Sequence, residues 1–144
     1  MKIVINKCFG GFGLSYEGVM LYAKLKGISM YAFKEKENPD GSLVSFREKN
    51  RYELYNPEKD EKPLLIYYST EPLKNGDYQE SSYFSERDIK RDDPILIKVI
   101  EKLGKKANGS CADLKIIEIP NDVNWEIEEY DGAEHVAEKH KTWW

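Results

Sequence analysis

The chain has 144 residues, of which 40% are hydrophobic, 12% aromatic and 33% charged, with a formal net charge of -4 at pH 7. This composition excludes a disordered chain and suits one core that needs no covalent staples, so residues 1-144 are expected to form a single domain. The acidic balance argues against a protein that wraps a nucleic-acid backbone by bulk electrostatics, and two cysteines without metal-ligand spacing exclude a disulfide scaffold and suit a reducing cytosol.

The N-terminal Lys2 is followed by only three apolar residues, too few for the apolar core of a signal peptide, and no run approaches the ~18 apolar residues of a membrane span. A soluble cytoplasmic protein is expected. Ile3 to Ile5 marks a first strand that runs into Gly10-Gly11-Phe12-Gly13. Ser15 then suits an N-cap, Glu17 the first helical turn and Gly27 the left-handed position past the C-terminus. Between them Tyr16, Val19, Met20 and Ala23 fall on one helical face, widened by Tyr22 and Leu25.

Ile28 to Phe33 reads as a strand and Asn38-Pro39-Asp40-Gly41 as a turn, whereas Leu43 to Tyr55 shows no clean period. The compact apolar run Pro63 to Tyr68 predicts a buried strand, and Glu71 to Ser82 an exposed loop. A second helix is punctuated by Asp93 at the N-cap, Pro94 at the first position and Gly104 at the end, with Ile95, Leu96, Val99, Ile100 and Leu103 on one face. Asn108-Gly109-Ser110 turns the chain into a strand within Ala112 to Ile119.

The tail reads as a hairpin turning on Asp131-Gly132, the dipeptide suited to a type I′ turn. Its register sets Ile127 opposite Val136, Trp125 opposite Glu138 and Glu128 opposite His135; Glu129 opposite Glu134 counts against it. The alternative is a short helix with Ala133, Val136, Ala137 and His140 on one face. The fold class expected is α+β, with a single mixed, mainly antiparallel sheet, two principal helices and the C-terminal hairpin.

Among candidate sites the glycine loop comes first. It matches neither dinucleotide-binding nor P-loop spacing, and its plainer role is a strand-to-helix turn needing positive φ. As an anion site it would use the N–H groups from Gly11 to Ser15, with Gly10, Gly11, Gly13 and Ser15 around phosphate. Phe9, Phe12 or Tyr130 would stack a base and Arg87 or Arg91 supply charge. His135 beside Glu128 is the best acid-base pair, against the plainer reading of a solvated cross-strand contact. The two histidines, His135 and His140, are five apart, which is not the helical zinc spacing, so neither metal nor cofactor is expected. Cys8, near a helix N-terminus, could be a reactive thiolate, but it reads first as a buried small hydrophobe, and Cys111 as core. The basic residues between Arg87 and Lys106 alternate with acids and read as a solvated helix face.

The set INKCFGGFGLS (5–15), RDIKRDDP (87–94), LGKKANGSCADLKIIEIP (103–120) and WEIEEYDGAEHVAEKHKTW (125–143) resembles a family of small proteins encoded by tailed phages and prophages. The segment from Lys34 to Lys62 matches poorly. The resemblance implies a host-cytoplasm setting and an accessory protein that acts by binding; it carries no catalytic residues. The leading reading is a non-enzymatic counter-defence protein that sequesters a nucleotide-like immune signal, by way of the glycine loop. The alternatives are an inhibitor of a host protein that uses the acidic, aromatic tail with Trp143-Trp144, and a small nucleotide hydrolase using His135 with Glu128, or Cys8. Either binding mode makes homo-oligomerisation an expectation.

Overall fold

The computed structural model describes residues 1–43, 50–140 and 143. In chain order the elements are β1 (Lys2–Asn6), α1 (Tyr16–Lys26), β2 (Tyr31–Glu35), β3 (Tyr52–Leu54), β4 (Tyr67–Ser69), β5 (Tyr83–Phe84), α2 (Pro94–Leu103), β6 (Leu114–Glu118), β7 (Trp125–Tyr130) and β8 (Ala133–Glu138). Short 3-10 turns lie at Glu80–Ser82, Glu86–Asp88 and Gly104–Ala107. The class is α+β with a C-terminal hairpin, as expected. The strands, however, form three sheets rather than one: β1-β6, β3-β2-β4-β5 and β7-β8, with every ladder antiparallel. The chain groups into two compact units, Met1–Lys26 with Glu86–Trp144, and Gly27–Ser85.

In the first unit both helices begin and end where their caps demand. Ser15 Oγ accepts from Gly18 N at 3.1 Å, and Gly27 takes φ 76° after α1. Asp93 Oδ1 accepts from Ile95 N at 2.8 Å, and Gly104 takes φ 55° after α2. Asp93 also accepts from the Tyr22 hydroxyl at 2.7 Å and from Lys26 Nζ at 3.2 Å, which ties the two helices together. Burial alone would raise the Asp93 carboxyl, but the hydrogen bonds from Tyr22, Ile95 N and Lys26 outweigh it and hold it below the usual range. The core gathers Ile3, Val4 and Ile5 of β1, Val19, Tyr22 and Ala23 of α1, and Leu96, Val99 and Ile100 of α2. Each of the buried Val, Leu and Ile side chains contributes about 1.5–3 kcal/mol.

The single sheet breaks because the free edge of β1 is closed by something other than a strand. Val4 N donates to the Arg91 carbonyl at 2.8 Å, Arg91 Nη1 donates back to Val4 O at 3.3 Å, and Asn6 N donates to the Glu134 carboxylate at 2.8 Å. With Val4 N, Val4 O and Asn6 N occupied in this way, no further strand pairs with β1 on that side.

In the second unit the central strand β2 is shifted from the expected Ile28 to Phe33. Its charged end is accommodated by pairing: Lys34 Nζ lies 3.2 Å from Asp60, and Glu35 accepts from the Tyr67 hydroxyl at 2.9 Å. Pro63 to Tyr68 is not the buried strand its composition predicts. Pairing is confined to Tyr67–Ser69, and Leu64 is 97% exposed. Of the run only Tyr68 is buried, beside Ser69, whose hydroxyl donates to Glu71 O at 2.7 Å. Glu71 to Ser82, expected as an exposed loop, is partly pinned. Lys74 and Asp77 exchange backbone hydrogen bonds at 2.8 and 3.0 Å around Asn75-Gly76, and the Tyr78 ring stacks 5.5 Å from Phe33. Much of the aromatic surplus is thereby used, since Phe33, Tyr52, Tyr67, Tyr78 and Tyr83 form one chain of ring contacts.

Candidate functional site

The glycine loop is a crossing point of backbones. Gly10 and Gly11 take φ 111° and 100°, as the strand-to-helix turn requires. Gly10 N donates to Asp131 O at 3.1 Å in the hairpin turn, and Ser15 N donates to Ala107 O at 2.9 Å. The Ser15 hydroxyl, already the α1 cap, donates to Lys106 O at 2.6 Å. A Cβ on Gly132 would lie 2.3 Å from Gly11 N, and one on Gly109 would lie 2.8 Å from the Gly13 carbonyl carbon. Beneath the crossing, Asn6 Nδ2 donates to Cys8 O at 2.7 Å and Gly132 O at 2.8 Å, while Asn6 Oδ1 accepts from Asp113 N at 2.8 Å. The loop therefore directs Gly10 N, Ser15 N and the Ser15 hydroxyl at protein carbonyls, as a structural turn does.

The cation and the aromatic expected to complete a ligand site there are turned on each other. The Arg91 guanidinium sits 3.8 Å from the Phe12 ring centroid, and Phe12 is only 5% exposed. Arg91 also makes a two-pronged pair with Glu134, Nη1–Oε1 at 2.6 Å and Nη2–Oε2 at 2.9 Å. Arg87 lies on the exposed turn Glu86–Asp88. The thiols expected inside, Cys8 and Cys111, are both exposed. Cys8 falls beyond the end of β1, and Cys111 follows the Gly109 turn and lies against Gly10, so neither occupies a core-facing strand position.

The hairpin has the register expected from its turn: Trp125 faces Glu138, Ile127 faces Val136, Glu128 faces His135 and Glu129 faces Glu134. Asp131 at φ 50° and Gly132 at φ 90° are the two left-handed residues of a type I′ turn. Alternation sorts the side chains onto two faces. One carries Ile127, Val136 and Glu134, with Glu134 buried on Arg91. The like-charged pair that counted against the hairpin is thus resolved by a buried cation. The other face carries Glu126, Glu128 and Tyr130 of β7 with His135 of β8, and Tyr130 is 80% exposed. His135 Nε2 lies 2.9 Å from Glu128 Oε2, with both side chains well exposed, the solvated pair anticipated as the plainer reading. Of the residues singled out in the sequence, the fold brings Tyr130 and His135 onto one surface and draws Gly10, Gly11, Phe12, Gly13, Ser15 and Arg91 into internal contacts.

Asn6 and Glu134 were missed as organising residues. The signal was present for Glu134, since a carboxylate on the Ile127 and Val136 face of a hairpin needs a cation. A separate cavity of about 580 Å³ in the second unit is lined by Lys34, Asp60, Leu64, Leu65 and Tyr67, with the Lys34 and Tyr67 polar atoms already paired. Trp143 is exposed, and Trp144 lies outside the described residues. Among the described residues no group of three His, Cys, Asp or Glu side chains is placed to hold a metal ion, and no helix is long and apolar enough to cross a membrane. Comparison with protein-family models, with curated proteins and with solved structures finds no match.

Proposed function

We infer that this protein acts without catalysis, by binding a protein partner through the outer face of the β7–β8 hairpin. One observation carries the reading. Tyr130, at 80% exposure, stands beside Glu126 and Glu128 on a strand pair whose opposite face is anchored by Glu134 on Arg91. An exposed tyrosine on a rigid support loses little conformational freedom on binding, and two adjacent carboxylates select a partner with basic groups. In the host-cytoplasm setting that the family resemblance implies, such a protein would inhibit a host protein, a defence protein among the candidates. Sequestration of a nucleotide-like signal draws less support, because Phe12, Arg91 and Ser15 are occupied within the chain.

The test is affinity capture from host-cell lysate with the wild type and with the triple variant Glu126→Lys, Glu128→Lys, Tyr130→Ala, alongside a thermal-shift panel of mono-, di- and cyclic nucleotides. A protein retained by the wild type and lost by an equally stable variant is expected, with no nucleotide raising the melting temperature. Retention by the variant, or a saturable nucleotide shift, would overturn the reading.

A further inference from the structure

Two of the strand edges in the first unit, those of β1 and β7, are treated differently. The edge of β1 is closed by Arg91 and Glu134, as described above. The outer edge of β7 is left open. Lys139 N donates to Asn124 O at 2.7 Å, which fixes the alternation along the ladder. The hydrogen-bonded pairs are then Glu126 with Ala137, Glu128 with His135 and Tyr130 with Ala133. The N–H and C=O groups of Trp125, Ile127 and Glu129 point away from β8, and they have no hydrogen-bond partner among the described residues. Six backbone groups along about 14 Å of strand form a template for one more strand.

Charge decides what fits it. Glu126, Glu129 and Glu138 have no ion-pair partner among the described residues and Glu134 is taken by Arg91, while Glu128 meets His135 through Oε2 alone, in an exposed contact that an incoming cation can share. A second copy pairing β7 against β7 would set Glu126, Glu128 and Glu129 of both copies side by side, an unfavourable contact. An extended segment with alternating basic and apolar residues would instead lay its cations beside Glu126 and Glu128 on the outer face and its apolar side chains beside Trp125 and Ile127 on the other. We propose that β7 is a docking edge at which a protein partner adds an extended, basic segment as a third strand of the hairpin sheet. This rests on the reading that the hairpin is the binding surface, and it adds the mode of binding and the chemistry of the partner segment.

The test uses the full chain and a fluorescein-labelled eight-residue peptide of alternating lysine and valine, read by anisotropy, with an alternating glutamate and valine peptide as control. Glu129→Pro removes an outward N–H and leaves the hydrogen bonds to β8 in place; hydrogen exchange of the Glu128 and His135 amides reports whether the hairpin persists. Saturable binding of the lysine peptide alone, weakened about tenfold by Glu129→Pro, supports the edge. The backbone-neutral pair Glu126→Lys, Glu128→Lys is expected to weaken it by at least as much. Lack of lysine-peptide binding, or equal binding by Glu129→Pro with an intact hairpin, overturns the proposal. So does self-association of the wild type that Glu129→Pro abolishes, since the edge would then belong to a second copy. If lysate capture still depends on Tyr130 when the peptide fails, the face reading stands and the edge alone is lost.

Discussion

Replacing Glu134 by alanine removes the acceptor of three hydrogen bonds at once: two from Arg91 at 2.6 and 2.9 Å and one from Asn6 N at 2.8 Å. The Arg91 and Glu134 side chains are 16% and 5% exposed, so water does little to screen the guanidinium left behind. Arg91 would keep the Phe12 ring and the 3.3 Å bond to Val4 O, and the Asn6 amide at the end of β1 would lose its partner. Breaking a buried pair from one side costs about 3–5 kcal/mol. That is a large share of the ~5–15 kcal/mol that holds a typical domain. Urea unfolding followed by tryptophan fluorescence reads the relevant unit, because Gly27–Ser85, the other unit, contains no tryptophan. The expected result is a midpoint lowered by the equivalent of about 3–5 kcal/mol at unchanged slope. Glu134→Gln, which still accepts from Asn6, should lose less. A cycle through Arg91→Ala and the double variant should give a coupling energy toward the upper end of about 0.5–3 kcal/mol. Stability of Glu134→Ala within about 1 kcal/mol of wild type would refute the reasoning, since the pair would then behave as an exposed one.

Gly132→Ala should destabilise by about 2–4 kcal/mol, because it adds a steric clash 2.3 Å from Gly11 N to the strain of φ 90°; Gly11→Ala, at φ 100° in open space, should cost only about 1–2 kcal/mol. Thermal unfolding of the two variants checks the order. Burial, and then the hydrogen bond to Glu35, push the Tyr67 hydroxyl up to about 12. The folded value lies above the unfolded one near 10, so the stabilisation is present below pH ~10 and is lost as pH rises through about 12, which absorbance at 295 nm should follow. Leu64→Ser should change stability by less than about 0.5 kcal/mol, where a buried strand leucine would cost about 2–5 kcal/mol.

The parts of this fold that could be read from sequence are those whose determinants are local. Asp93-Pro94 and Gly104 set the ends of α2 through their own φ angles and hydrogen bonds, and Asp131-Gly132 sets a two-residue turn that fixes each pairing in the hairpin. What could not be read depends on partners distant in sequence. Pro63-Leu64-Leu65 looks like core but meets no pairing strand, while Ser69, polar and unremarkable in sequence, is buried by its bonds to Glu71 and Ser82. The candidate site divides in the same way. The Glu128–His135 pair followed from the register, whereas Arg91 and Phe12 read as free ligand groups because Glu134 lies 43 residues from Arg91. The glycines at 10, 11 and 13 were legible as a turn, but their packing against Gly132 and Gly109 needs the crossing of three turns to be seen.

If binding belongs to the hairpin and not to the glycine loop, amide resonances report both in one experiment. In a ¹H–¹⁵N correlation spectrum titrated first with a nucleotide panel and then with the alternating lysine-valine peptide, the amides from Gly10 to Ser15 should stay silent throughout. Saturable shifts are expected at Trp125, Ile127, Glu129 and their neighbours when the peptide is added. Saturable movement of the Gly10 to Ser15 amides with a nucleotide, while Trp125 to Tyr130 stay still, would contradict it.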